Sequence, residues 1–196
     1  MIEFLKPAYN AALNPIAKIC IRLGLSPNAI TLFGVALSCV SAYFVASGSW
    51  IIASVIISIS ACMDGLDGLV ARQTAKTSAF GAVLDSCCDR VTEFAWFLGI
   101  CIYFLHSSHF SPMAVICCFC AMASSFMVSY IRARCEGMHI QCSRGLLQRP
   151  ERIIIIVFCL LCGPIVMTIG LVLLSALGLV TSCQRVAIAR NAKPNQ

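Results

Sequence analysis

Charge is what this chain has least of. Of its 196 residues 11% are charged and 60% apolar, whereas an ordinary soluble domain carries about 25% charged residues. So few ionised side chains do not cover a soluble domain of this size, and lipid is the expected solvent for most of the chain. The mean hydropathy of +0.91 agrees. Histidine is scarce as well: His106, His109 and His139 are the full set, with no ligand-like spacing beyond one HxxH. The Cys159-x-x-Cys162 pair stands in an aliphatic run with no histidine or second pair near it, which argues against zinc. The 14 cysteines do not form a disulfide framework. Most lie inside apolar runs, as Cys117, Cys118 and Cys120 do, where a thiol packs as a small hydrophobe. No aromatic-and-basic repeat marks a nucleic-acid surface, so no nucleic-acid partner is expected. The net charge of +6 reads instead as membrane orientation and contact with anionic headgroups. Met1 to Tyr9 holds Glu3 and Lys6 but no cleavable apolar stretch, and no signal peptide is expected. No internal repeat suggests a transporter built from duplicated halves.

What is present is a series of apolar runs. Residues 2–22 mix isolated apolar positions with Lys6, Pro7, Pro15, Lys18 and Arg22, too polar to span and suited to an amphipathic helix on the membrane surface. Runs then extend from Pro27 to about Ala46, from Trp50 to about Arg72, from about Ser78 to Leu105, and from Pro112 to about Arg134. Two more occupy roughly 151–168 and 170–187, with Gly163-Pro164 and Gly170 both available as the break between them. Basic residues test the count, because they gather on the cytoplasmic side. Lys6, Lys18 and Arg22 precede the first span, and Arg72 and Lys76 follow the second. Arg132, Arg134, Arg144, Arg149 and Arg152 surround the loop after the fourth, while Arg185, Arg190 and Lys193 follow the sixth. The other turns have no Lys or Arg. The expected fold is an all-α integral membrane protein of six transmembrane helices, multi-pass, with both termini cytoplasmic. It forms one domain over residues 1–196: a surface helix at 1–24, a six-helix bundle at 25–190 and a tail at 191–196.

The chain's four aspartates, Asp64, Asp67, Asp85 and Asp89, all fall within 26 residues of two predicted spans. An ionisable group near the bilayer centre costs about 2.5–3.5 kcal/mol on insertion scales, so the four need a compensating charge or a wet cavity. Asp64 and Asp67 are i and i+3, and Asp85 and Asp89 are i and i+4, so each pair shares a helix face. If the two spans are antiparallel neighbours, the pairs converge near the cytoplasmic side. Hard oxygen ligands suit Mg2+ or Mn2+, and four carboxylates suit two such ions. Structural pairing with Arg72, Lys76 or Arg90, or an ion pathway, is the plain alternative. Small residues weigh against it: Gly68 adjoins Asp67, Gly81 lies one turn before Asp85, and Ala71 extends the stripe to Arg72. Metal ions, a small-residue slot and a guanidinium describe a pyrophosphate site.

Asp64-Gly-Leu-Asp67-Gly68-Leu-Val-Ala71-Arg72, then eight residues, Gly81, three residues, Asp85, three residues and Asp89 resembles the signature of the CDP-alcohol phosphotransferases at each of its eight fixed positions. Pro27-Asn28 before Ile30-Thr31 resembles that family's entry to its first span. The resemblance implies an enzyme of phospholipid biosynthesis that moves a phosphatidyl group from CDP-diacylglycerol to the hydroxyl of an acceptor alcohol and releases CMP. It implies that Asp64, Asp67, Asp85 and Asp89 hold two divalent cations, that Asp89 is the general base, and that Gly68, Ala71, Arg72 and Gly81 contact the cytidine diphosphate. It also implies a homodimer, with the active site on the cytoplasmic side.

For the acceptor, five arginines lie between residues 132 and 152, more than orientation needs, and arginine binds phosphate bidentately. Ser129-Tyr130-Ile131-Arg132 with Gln148-Arg149-Pro150-Glu151-Arg152 resembles family members that use inositol phosphate, and less closely those that use glycerol 3-phosphate. Arg132, Arg134, Arg152 and Arg185 are the expected acceptor-phosphate ligands. Two other classes compete. An intramembrane ion or proton transporter spreads its carboxylates through the membrane depth, whereas these cluster at one depth. A binding subunit without activity normally lacks a motif carboxylate, and none is lost here. Short length and the lack of a targeting segment point to a prokaryotic inner membrane.

Overall fold

The computed structural model describes residues 6–106, 108–142 and 145–192. Arg144 and Lys193, part of the orientation pattern, lie outside the described residues. Those described form seven helices and no strand: α1 Lys6–Arg22, α2 Pro27–Ala46, α3 Trp50–Gln73, α4 Ala79–Leu105, α5 Pro112–Gly137, α6 Arg149–Cys162 and α7 Pro164–Asn191. Helix starts follow local chemistry. Ser26 accepts from the Ala29 amide ahead of Pro27, Ser111 does the same for Ala114 ahead of Pro112, and Ser78 accepts from Gly81. Each satisfies an orphan N–H, and the two prolines occupy the first turn, where their missing donors cost nothing. Gln148 and Glu151 form a reciprocal capping box on α6.

Helices α2, α3, α5 and α7 are each long and apolar enough to cross a membrane. With 27 residues α4 has the length, but carries Asp85, Asp89, Arg90 and Glu93. The 14 residues of α6 rise only about 21 Å, short of the roughly 30 Å hydrocarbon core. The fifth expected run, to about residue 168, is therefore corrected: it stops at Cys162, and α7 takes everything from Pro164. The physical cause is Gly163, at φ 101° and ψ 178°, a backbone region that glycine alone occupies at low cost, followed by a proline that lacks an amide hydrogen.

The chain divides into two compact units, residues 1–103 and 104–196. In the first, α2 packs along α3. Their seam is polar: Ser38 Oγ and Ser60 Oγ lie 2.7 Å apart, and the Ser60 hydroxyl also reaches the Gly34 carbonyl at 2.9 Å. Small hydroxyl residues let helix backbones approach closely in lipid. Helix α1 docks on α3 through Ala17 and Cys20, which bury against Leu66, Val70 and Ile30. Its outer residues Ile16 and Ile19 stay exposed, as does Leu23 just past its end, the two-sided pattern expected of a helix lying on a membrane surface. At the far end of α3, the Trp50 and Tyr103 rings meet at a tilt of 58° with centroids 4.6 Å apart, and the Trp50 indole donates to the Val45 carbonyl.

In the second unit α7 packs against both α5 and α6. The Ser175 hydroxyl is 3.4 Å from the Cys117 carbonyl, and the Ser124 hydroxyl is 3.4 Å from that of Leu174. The segment before α6 is tied to α7 by the Leu147 amide, which donates to Thr181 Oγ1 at 3.0 Å.

Candidate active site

In the first unit Asp64 of α3 meets Asp85 and Asp89 of α4. One carboxylate oxygen from each lies within 4.8 Å of the other two. All three are half-buried. Three like charges this close repel strongly in a low dielectric, and a hard divalent cation is the compensation such an oxygen set fits. Arg90 supplies part of the positive charge: its Nη1 lies 3.2 Å from Asp89 Oδ2 and donates to the Ser86 carbonyl at 2.8 Å. The ion pair weighed as an alternative thus exists at Asp89, on one side of a cluster that keeps three acids together.

Asp67, the fourth aspartate, sits one turn from Asp64 and faces α2. Its Oδ2 accepts from Thr31 Oγ1 at 2.5 Å, and it is buried. Its charge is near enough to interact with those of Asp64 and Asp85. The role of Thr31 is not legible from the α3 signature. Its only sequence signal is a hydroxyl one turn inside the Pro27-Asn28 entry to α2.

The small residues and the guanidinium also come together. A Cβ on Gly68 would stand 3.2 Å from Arg72 Nη1, so the arginine folds back over the glycine. Around Gly81 the nearest groups to a Cβ would be Ser78 Oγ at 3.1 Å and Asn28 Oδ1 at 3.6 Å. Ala71 is half-buried on the same helix as Asp64, while Arg72 is exposed. The first unit thus presents a carboxylate cluster, a guanidinium and backbone without side-chain bulk, which is what a metal-bound diphosphate needs.

The arginines expected to bind an acceptor phosphate fall in the second unit and separate by burial. Arg152 and Arg185 are each 2% exposed. Arg185 Nη1 donates to the Val128 carbonyl at 2.5 Å, and Arg152 Nη2 lies 3.4 Å from Ser129 Oγ. Arg132 and Arg134 are exposed, and Arg132 pairs with Glu136 at 2.8 Å. Arg185, near the C-terminal end of α7, is as deeply placed as Arg152. The Ser129 and Val128 contacts that anchor the buried pair have no signal of their own in the sequence. His106, His109 and His139 occupy turns away from every helix interior.

Comparison with known proteins places this geometry. A family model described as CDP-alcohol phosphatidyltransferase matches residues 24–183. The chain is 36% identical over 189 residues to an archaetidylinositol phosphate synthase of Methanothermobacter thermautotrophicus, covering 94% of this chain and 92% of that protein. It is 37% identical over 153 residues to a phosphatidylinositol phosphate synthase of Corynebacterium glutamicum, covering 76% and 68%. Its fold matches the crystal structure of Mycobacterium tuberculosis phosphatidylinositol phosphate synthase with CDP-DAG bound, at a TM-score of 0.83 and 29% identity over 90% of this chain and 92% of the other. The same enzyme in complex with manganese and citrate matches at 0.84, over 90% and 88%. The chain belongs to the CDP-alcohol phosphatidyltransferase family of phospholipid-synthesising transferases.

Proposed function

We propose that this chain transfers the phosphatidyl group of CDP-diacylglycerol to the hydroxyl of an inositol phosphate and releases CMP. The observation that carries the reading is the grouping of Asp64, Asp85 and Asp89 within 4.8 Å, on the helices that also bear Arg72, Gly68 and Gly81. The Methanothermobacter and Corynebacterium relatives, an archaetidylinositol phosphate synthase and a phosphatidylinositol phosphate synthase by name, support this acceptor over glycerol 3-phosphate. Asp64, Asp67, Asp85 and Asp89 would hold two divalent cations, Mg2+ or Mn2+. Such ions, when bound, supply positive charge to the diphosphate and to the departing CMP.

The chain's own residues do the rest. Asp89 takes the proton of the acceptor hydroxyl, whose oxygen then forms its bond to the lipid-side phosphorus. The bond from that phosphorus to the bridging oxygen breaks, and CMP leaves with that oxygen. Arg90 holds Asp89 Oδ2 at 3.2 Å and so orients the carboxylate. Arg72 neutralises the cytidine diphosphate above Gly68, Ala71 and Gly81, where side-chain bulk would intrude. Arg152 and Arg185 bind the acceptor's phosphate, with Arg132 and Arg134 contributing from exposed positions. The chain works as one membrane domain with six membrane-embedded helices, α6 being the short one, with both termini and the site cytoplasmic. It acts as a homodimer in a prokaryotic inner membrane.

The test is CMP release by the purified protein from CDP-diacylglycerol with magnesium, offering inositol 1-phosphate, glycerol 3-phosphate, free inositol and serine separately. The proposal requires release with inositol phosphate. Release with glycerol 3-phosphate alone would keep the reaction and overturn the acceptor.

A further inference from the structure

Helix α1 stands outside the eight-position signature, yet one of its side chains rests on the turn that carries Asp64. The seat is Gly65, between Asp64 and Leu66. A Cβ at Gly65 would fall 2.6 Å from both Cε1 and Oη of Tyr9 and 3.0 Å from its Cζ, so the ring lies directly on the α3 backbone. The Tyr9 hydroxyl donates to the Ala61 carbonyl at 3.3 Å, the same carbonyl that the Gly65 amide uses in the helix.

Gly65 is not a signature position, and glycine in a helix interior costs about 1 kcal/mol relative to alanine. The tyrosine gives it a purpose. Tyr9 is 39% exposed, so burial of its ring is incomplete and does not by itself explain the contact. Further along, Asn14 Oδ1 accepts from Gln73 Nε2 at 2.9 Å, and Ala17 and Cys20 bury against Leu66 and Val70. The helix is thereby pinned to α3 on both sides of the Asp64–Arg72 stretch.

We propose that Tyr9 is a positioning residue: its ring, seated on Gly65, fixes the α3 turn that holds Asp64 against Asp85 and Asp89, and so sets the affinity of the carboxylate cluster for a divalent cation. This rests on the reading of that cluster as a metal site. Groups that orient a metal ligand without touching the metal commonly change affinity by about 10–100-fold when removed.

The experiment measures manganese binding by the full-length protein in detergent, without lipid substrate, from the electron paramagnetic resonance of free Mn2+. Thermal midpoints are recorded alongside. Tyr9→Phe keeps the seated ring and is expected within about twofold of the wild type, while Tyr9→Ala and Gly65→Ala each weaken binding about tenfold. The double variant Gly65→Ala/Tyr9→Ala is expected to match Tyr9→Ala alone, because the added methyl meets no ring. Tyr9→Leu, which keeps an apolar side chain for docking, stands in where Tyr9→Ala does not accumulate. Wild-type affinity in the single variants, or single effects that multiply in the double, would overturn the proposal. So would lower thermal midpoints with unchanged affinity in the folded protein. Asp64→Asn separates the two readings. If it loses manganese while the Tyr9 and Gly65 variants do not, only the tyrosine's role fails; if it too binds as the wild type does, the metal site itself fails and the tyrosine's role with it.

Discussion

Thr31 of α2 hydrogen-bonds Asp67 of α3 at 2.5 Å, and the same hydroxyl lies 3.1 Å from the Pro27 carbonyl. The contact ties the entry of one membrane helix to the carboxylate stretch of the next, and it separates Asp67 from the three acids grouped across α3 and α4. Thr31→Val leaves a buried carboxylate oxygen without its donor, a loss of about 1–3 kcal/mol. Thr31→Ser keeps the hydroxyl. Thermal unfolding in detergent is expected to show the valine variant destabilised and the serine variant close to the wild type.

Loss of the proposed base or of the cation is expected to suppress turnover. Asp89→Asn is expected to lower CMP release by about 10²–10⁴-fold, with unfolding unchanged or improved because one repelling charge is gone from the cluster. Chelation with EDTA is expected to stop release, and added Mg2+ or Mn2+ to restore it. Steady-state CMP assays check both.

Gly68→Ala places a methyl 3.2 Å from Arg72 Nη1, so the guanidinium is displaced from its position over the helix. Arg72 is exposed and its tip gives way at little cost to stability, and the expected outcome is a KM for CDP-diacylglycerol raised about tenfold. The KM for the acceptor stays unchanged. Varying each substrate against a saturating concentration of the other separates the two.

The acceptor arginines are expected to divide as their burial divides. Arg152→Ala and Arg185→Ala remove buried charge-assisted contacts and raise the acceptor KM about ten- to a hundredfold. Arg134→Ala, at an exposed position, is expected to change it by less than about threefold. Arg132 is already engaged with exposed Glu136, a pair that contributes only a few tenths of a kcal/mol. Its alanine variant is likewise expected to change the acceptor KM by less than about threefold and to leave stability nearly untouched.

The long helices were legible because apolar runs bounded by Ser-Pro and Gly-Ser turns have one physical solution in lipid. The run from Pro27 to about Ala46 is α2, and spacing put Asp64 with Asp67 and Asp85 with Asp89 on shared helix faces, of which Asp64, Asp85 and Asp89 come together. The break between α6 and α7 was not. Two glycines competed for it, and the outcome rests on the φ of 101° at Gly163, a backbone property that residue type permits but does not dictate. Tertiary partners were equally hidden. Nothing in the spacing of the four aspartates separates Asp67 from the others, because its difference is made by Thr31 on another helix. The docking of α1 through Tyr9 on Gly65 was likewise out of reach, since an amphipathic helix facing lipid and one facing protein carry the same periodicity.

In the proposed reaction the acceptor keeps its phosphate while its hydroxyl receives the phosphatidyl group. The direct measurement supplies inositol 1-phosphate labelled with ³²P, together with CDP-diacylglycerol and Mg2+, and follows the label into the lipid phase alongside CMP release. Label is expected in a lipid product in equal amount to CMP, and about 10²–10⁴-fold less of it per unit time with the Asp89→Asn protein. CMP release with all label left in the aqueous phase, or lipid labelling undiminished in Asp89→Asn, would contradict this reaction.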